Sequence, residues 1–196
     1  MKKFYLFSIA LLTLFCTTTS LMAQEFGGES TMTKQEMRKA ARAAHKKAVA
    51  AEQQQLYNQA LESLKEGSFV IEADQLLFPG GNTKFVSRLT NFISMNEGKA
   101  VIQIASSMYA PGPNGIGGIT VEGNVSSITM NTHKDIVYYN FMVQGIAVSA
   151  TVNVQLIGGG NRVTVTVYPN FNSNNLTMTG VMVPYSESDV FQGQTI

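Results

Sequence analysis

Glu72 and Asp74 are the residues of this chain best spaced to do chemistry. Two apart on an extended segment, they point to one face, as general acid and base work by paired carboxylates requires, and a hydrolase could be built on them. Such a site also needs a further element to bring a pocket against that face. The plainer reading is a wet strand face opposite Phe69, Ile71 and Ala73, and the pattern favours it, so no catalytic residue is assigned and a non-enzymatic protein is expected. His45 and His133 have no second histidine or cysteine at ligand spacing, which leaves too few parts for a zinc site or a nucleophilic triad. Residues 170–175 offer amide oxygens to calcium but no carboxylate. The glycines of 112–118 have the look of a phosphate cradle, yet Ile119-Thr120-Val121 opens a strand where a cradle needs a helix N-terminus. No metal and no cofactor are expected.

The first 23 residues carry an address. Lys2 and Lys3 precede an apolar run over 4–15, a polar break over 17–20 and a small residue, Ala23, which is the pattern of an export signal cut between Ala23 and Gln24. The run is shorter than the ~20 residues that span a bilayer, so no transmembrane segment is expected in the mature chain. The single cysteine, Cys16, lies inside the run behind bulky Phe15, which disfavours a lipoprotein and leaves the mature chain without thiols. The expected location is the periplasm or beyond.

Formal net charge is +1, and without Lys2 and Lys3 the chain is close to neutral. The balance is uneven, because Lys34, Arg38, Lys39, Arg42, Lys46 and Lys47 face only Glu36 over 33–47. Charge of this kind suits an arm that meets an anionic surface or, more plainly, a solvated helix face, and the second is favoured on so Ala-rich a segment. Nucleic acid is not an expected partner, since the remainder is slightly acidic and the signal leads out of the cytoplasm.

These residues sit on two kinds of element. After a tail over 24–32, Thr33 and Glu36 form a capping-box pair, and the stretch to Glu66 holds neither Pro nor Gly before Gly67 stops it. A helix over 33–67 follows. Met37, Ala41, Ala44, Ala48 and Ala51 give it a thin stripe and Leu56, Tyr57, Ala60, Leu61 and Leu64 a bulkier face, so its last turns should dock while its first half projects. From Ser68 the period becomes two, and eight strands are read, over 69–78, 83–95, 99–109, 119–131, 136–143, 147–157, 162–168 and 176–183. The clearest pair is Val148, Ala150, Val152, Val154 and Leu156 against Val163, Val165 and Val167 across a glycine-rich turn. Alternation slips at Ser126-Ser127 and at Gly180, which predicts bulges or bends. Short connections without intervening helices make 68–196 a mainly β domain, an antiparallel meander closed as a lipocalin-like barrel or folded as a sandwich, the barrel leading.

Gly112-Pro113-Asn114-Gly115-Ile116-Gly117-Gly118 and Pro169-Asn170-Phe171-Asn172-Ser173-Asn174-Asn175 stand out, together with Phe69-Val70-Ile71-Glu72-Ala73-Asp74, Asn161-Arg162 and Val190-Phe191-Gln192-Gly193. Through these segments residues 68–196 resemble a secreted Bacteroidetes family, the domain of unknown function 4251. The resemblance implies a compact β domain of the Gram-negative cell envelope, and it carries no catalytic residue or ligand. The helix up to Glu66 lies outside it.

Strand directions suggest where a ligand would sit. In a meander every second connection shares an end, which puts 79–82, 110–118, 144–146 and 169–175 on one rim and only tight turns on the other. Tyr109, Asn114, Phe171 and Asn172 would then offer ring faces and amides to a small apolar ligand, a glycan or an envelope protein. The plainer alternative has Phe171 plugging the barrel end and the asparagines holding their own turns. Function is read as an exported binding or envelope-accessory module, or alternatively as a structural module that docks another protein.

Overall fold

The computed structural model describes residues 33–105, 115–146, 149–170 and 174–195. A helix, α1, spans Lys34–Glu66. Its start is the anticipated capping box: the Thr33 amide and hydroxyl donate to the Glu36 carboxylate at 2.8 and 3.0 Å, and the Glu36 amide donates back to the hydroxyl at 3.3 Å. These bonds hold the Glu36 carboxyl below its ordinary pKa. At the other end Gly67 takes a φ of +66°. There the Ser68 amide reaches the carbonyl of Ser63 and the Gly67 amide that of Leu64, a Schellman ending that satisfies the last carbonyls.

Nine strands follow: β1 (Phe69–Leu77), β2 (Thr83–Phe85), β3 (Phe92–Asn96), β4 (Lys99–Ala105), β5 (Gly118–His133), β6 (Ile136–Gln144), β7 (Ser149–Ile157), β8 (Arg162–Pro169) and β9 (Leu176–Pro184). β2 and β3 both pair with β1, the strands from β3 to β9 pair antiparallel in chain order, and β9 returns to β1, so the sheet closes on itself. The fold is an eight-stranded antiparallel barrel, not a sandwich, because β2 and β3 share one edge of β1 and count as one interrupted strand.

The interruption corrects the continuous strand expected over 83–95, and Asn91 explains it. Its side chain substitutes for a strand backbone: Nδ2 donates to the Ala105 carbonyl at 3.1 Å and Oδ1 accepts from the Ala105 amide at 2.8 Å. With β4 satisfied in this way, the chain is free to loop out over 86–90. The bulge read at Ser126-Ser127 is present, with Ser127 at φ +55° and the β5–β6 register shifting between Ser126 and Thr129. The second irregularity is relocated. β9 alternates without a break, Met178, Gly180 and Met182 being buried, and the extra residue is Asp74 on β1, opposite Gly180.

Alternate residues of the strands other than β2 fill the interior. Phe69, Tyr139 and Phe141 meet at ring-centroid distances of 5.8 to 6.4 Å, with Phe69 edge-on to both of the others. The Tyr139 hydroxyl lies 3.7 Å from the Met95 sulfur, and burial pushes its pKa up. Met178 is fully buried and Met130 packs against the core, whereas Met142 sits on the half-buried outer face of β6. Ala60 and Leu64 belong to the same apolar cluster as Phe69 and Met95, with Tyr57 and Leu61 packed against it. The last turns of α1 therefore dock, Leu64 alone contributing about 2 kcal/mol by burial. Residues 33–52 are exposed throughout.

Candidate functional site

The carboxylate pair is occupied by structural bonds. Both residues point outward, but Asp74 is the bulged residue of β1, and its carboxylate meets Arg88 at 2.8 Å and Arg162 at 3.1 Å. Partial burial pushes its pKa up, and hydrogen bonds and charge from Arg162 and Arg88 outweigh this, leaving it below the ordinary 3.8. Glu72 accepts a 2.7 Å hydrogen bond from Ser188. The arrangement joins β1 to β8, to the 86–90 loop and to the C-terminal segment. His45 and His133 are exposed, and among the described residues no group of three His, Cys, Asp or Glu side chains could hold a metal ion.

Gln103 escaped the sequence reading. It is a polar residue on the outward face of β4, 0% exposed, and all its hydrogen-bonding capacity is used. Nε2 donates to the carbonyls of Thr90 at 3.0 Å and Phe191 at 2.7 Å; Oε1 accepts from the Thr120 hydroxyl at 2.9 Å and the Gly193 amide at 2.7 Å. Two of the four partners belong to the C-terminal segment after the 3-10 turn Tyr185–Glu187. The Phe191 amide also donates to Leu89. Val190 and Val183 cover an outer-wall cluster of Val70, Phe92 and Val101. Between Ile102 and Ile104 in sequence, Gln103 reads as an ordinary outward position of an alternating strand, and only the Phe191-Gln192-Gly193 segment hinted at its partners.

The strapped segment creates the concave surface. A pocket of about 130 Å³ lies among Val70, Phe92, Ser94, Tyr185, Ser188, Val190 and Gln192. It shares Ser94, Tyr185 and Gln192 with a pocket of about 230 Å³ that adds Asn96, Glu97, Lys99 and Glu122. Lys99 and Glu122 lead on to an open cleft of about 590 Å³ bounded by Asn124, Gln144, Ile146 and Thr195. Together these form a groove across the outer wall of β3, β4 and β5. Tyr185 is 45% exposed, and the Gln192 amide donates to Glu122 at 3.3 Å.

Strand pairing brings the anticipated loops to a common end. β4 and β5 terminate at the Ala105–Gly118 pair, β6 and β7 at Gln144–Ser149, β8 and β9 at Val167–Leu176, and β1 at its Thr83 and Thr177 partners. Connections 106–117, 145–148, 170–175 and 78–82 thus leave from one rim. The four side chains proposed there, Tyr109, Asn114, Phe171 and Asn172, lie outside the described residues, as do Cys16, Ala23 and Gln24.

Comparison with known proteins agrees with this barrel. Residues 51–182 match a family model described as "Domain of unknown function (DUF4251)". The chain belongs to the DUF4251 family. The crystal structure of a DUF4251 family protein from Bacteroides eggerthii DSM 20697 is 43% identical, the alignment covering 72% of this chain and 96% of that one at a TM-score of 0.64. No curated protein matches. The DUF4251 match starts at residue 51, beside Gln53, where burial of α1 begins. The docked half of the helix is therefore part of the family domain, contrary to the expectation that everything up to Glu66 lies outside it. The exposed half of α1 and the segment after residue 182 fall outside the match.

Proposed function

We propose that this DUF4251 protein is an exported, non-catalytic binding module of a Gram-negative cell envelope, and that it takes a polar, glycan-like ligand in the groove on its outer wall. The observation that carries the reading is the exposed ring of Tyr185 beside Asn96, Gln192, Lys99 and Glu122. A ring face flanked by amides and charged groups suits a sugar, stacking on its apolar side while hydroxyls are bonded. Two further points agree. The barrel interior is filled by Phe69, Phe141, Met178 and their neighbours, so among the described residues a ligand is met on the outer surface. The carboxylates best spaced for hydrolysis are committed to Arg88, Arg162 and Ser188. Export rests on the pattern of residues 1–23.

Calorimetric titration with soluble peptidoglycan fragments tests the proposal. Tyr185→Ala and Gln192→Ala should each weaken binding about tenfold with unchanged melting temperature. Binding that survives both substitutions would remove the groove from consideration.

A second reading, a module that docks another envelope protein, is favoured by one feature. Leu89 and Phe191, joined through their backbones, are both more than half exposed. Crosslinking in the native envelope with a photoreactive residue at position 191 would capture one defined protein if this reading holds, and none if it does not.

A further inference from the structure

The exposed half of α1 is a charged surface with a direction. At 3.6 residues per turn, Lys34, Arg38, Lys39, Arg42, His45 and Lys46 fall within an arc of about 140°, leaving only Lys47 outside it. Four of them, Lys34, Arg38, Arg42 and Lys46, follow one another at i, i+4 spacing, which sets like charges on adjacent turns and costs helix stability. Among the described residues no carboxylate pairs with these cations. Glu36, the acid of the first turns, is held by its bonds to Thr33. The opposite side carries Met37, Ala41, Ala44, Ala48 and Ala51, and every residue from 33 to 52 is exposed. This stretch lies almost wholly outside the matched family domain, so the barrel's own fold does not account for it.

We propose that this face docks the protein on a bilayer surface rich in anionic phospholipid headgroups. The cations form a line ~18 Å long along the helix, which matches a flat, laterally continuous field of phosphates better than a compact ligand. Residues 34–55 contain no Phe, Tyr or Trp ring on which successive bases could stack, which argues against single-stranded nucleic acid. The face opposite the cations is alanine and not a bulky apolar stripe, so the helix lies on the headgroups and does not sink among the acyl chains. From Ser68 onward five basic residues stand against seven acidic ones, so a negative membrane attracts the helix and repels the barrel.

The test uses the protein as its host processes it, purified and sedimented with vesicles of phosphatidylcholine alone or mixed with about 30% phosphatidylglycerol. Binding is expected only to the anionic vesicles, falling steeply between about 50 and 300 mM salt. The variant Lys34→Gln/Arg38→Gln/Arg42→Gln/Lys46→Gln should bind at least about tenfold more weakly at unchanged helical content. Lys134→Gln, an exposed cation on the barrel and outside the groove, should bind as the unaltered protein does. Equal sedimentation with neutral vesicles, salt-insensitive binding, undiminished binding of the fourfold variant, or retention on a soluble polyanion without vesicle binding would each overturn the proposal. The salt dependence of the unaltered protein stands even if the variant loses helix.

Discussion

Gly180 of β9 lies directly against the carbonyl of Glu72 on β1, and a Cβ at position 180 would overlap that oxygen and crowd the Cα of Ala73. This is the seam where the barrel closes and where Asp74 is extruded as the bulged residue. Glycine is required here by the approach of one backbone to another, since a side chain could be admitted only by moving β1. Gly180→Ala should lower stability by about 1–3 kcal/mol in denaturant titration. An unchanged midpoint would mean that the seam is looser than described.

Gln103 ties the C-terminal segment to the wall. Gln103→Leu would strand the carbonyls of Thr90 and Phe191, the Thr120 hydroxyl and the Gly193 amide. A loss of about 2–4 kcal/mol is expected, although release of the segment lets water reach some of these groups. Limited chymotrypsin digestion should then cut near Tyr185 or Phe191 well before the barrel is attacked. Equal resistance of variant and parent would show that Val190 and its apolar neighbours hold the segment unaided.

The sign of the pH effect at Asp74 follows from its depressed pKa. A carboxylate bound more tightly as the anion in the folded state adds stability above its unfolded pKa, and that stability is lost as pH falls through the folded value. Asp74→Asn should therefore be less stable than the parent at pH 7, by about 1 kcal/mol at most because Arg88 and Arg162 are largely exposed. The difference should close below pH 3.8, the unperturbed value. A difference constant from pH 7 to pH 2 would show that the effect arises from the bulge geometry and not from charge.

The two halves of α1 should behave differently. Trypsin is expected to cut first at Arg38, Lys39, Arg42, Lys46 or Lys47 and to leave a barrel that melts as before, because residues 33–52 are exposed and outside the core. Leu64→Ala, which removes a side chain 1% exposed in the core, should cost about 2–4 kcal/mol. Early cleavage accompanied by a large fall in melting temperature would contradict this division.

Much of the frame was readable because it rests on local rules. The capping box at Thr33, the stop at Gly67 and the period-two runs of β7 and β8 each follow from neighbours in sequence. The strand break at Asn91 was hidden because its cause lies on β4, where one amide side chain takes the place of a backbone ladder. The bulge at Asp74 was assigned to β9, since the glycine that accommodates it is the more conspicuous residue. Tyr185, Gln192, Asn96 and Glu122 were missed as a group because a groove assembled from a strapped terminal segment and the outside of a sheet has no periodicity. Glu72 and Asp74 attracted attention through spacing alone, and only three-dimensional neighbours show them to be joints.

The central claim is that ligand binds the outer wall beneath the C-terminal segment. Amide chemical-shift mapping of the full processed protein during titration with soluble peptidoglycan fragments tests it most directly. The account predicts saturable shifts at Ser94, Asn96, Lys99, Glu122, Tyr185 and Gln192, with the interior residues Phe141, Val152 and Val165 unmoved. Shifts confined to the rim residues 106–117 and 170–175, or to the interior, or no shifts at all with these fragments, would contradict it.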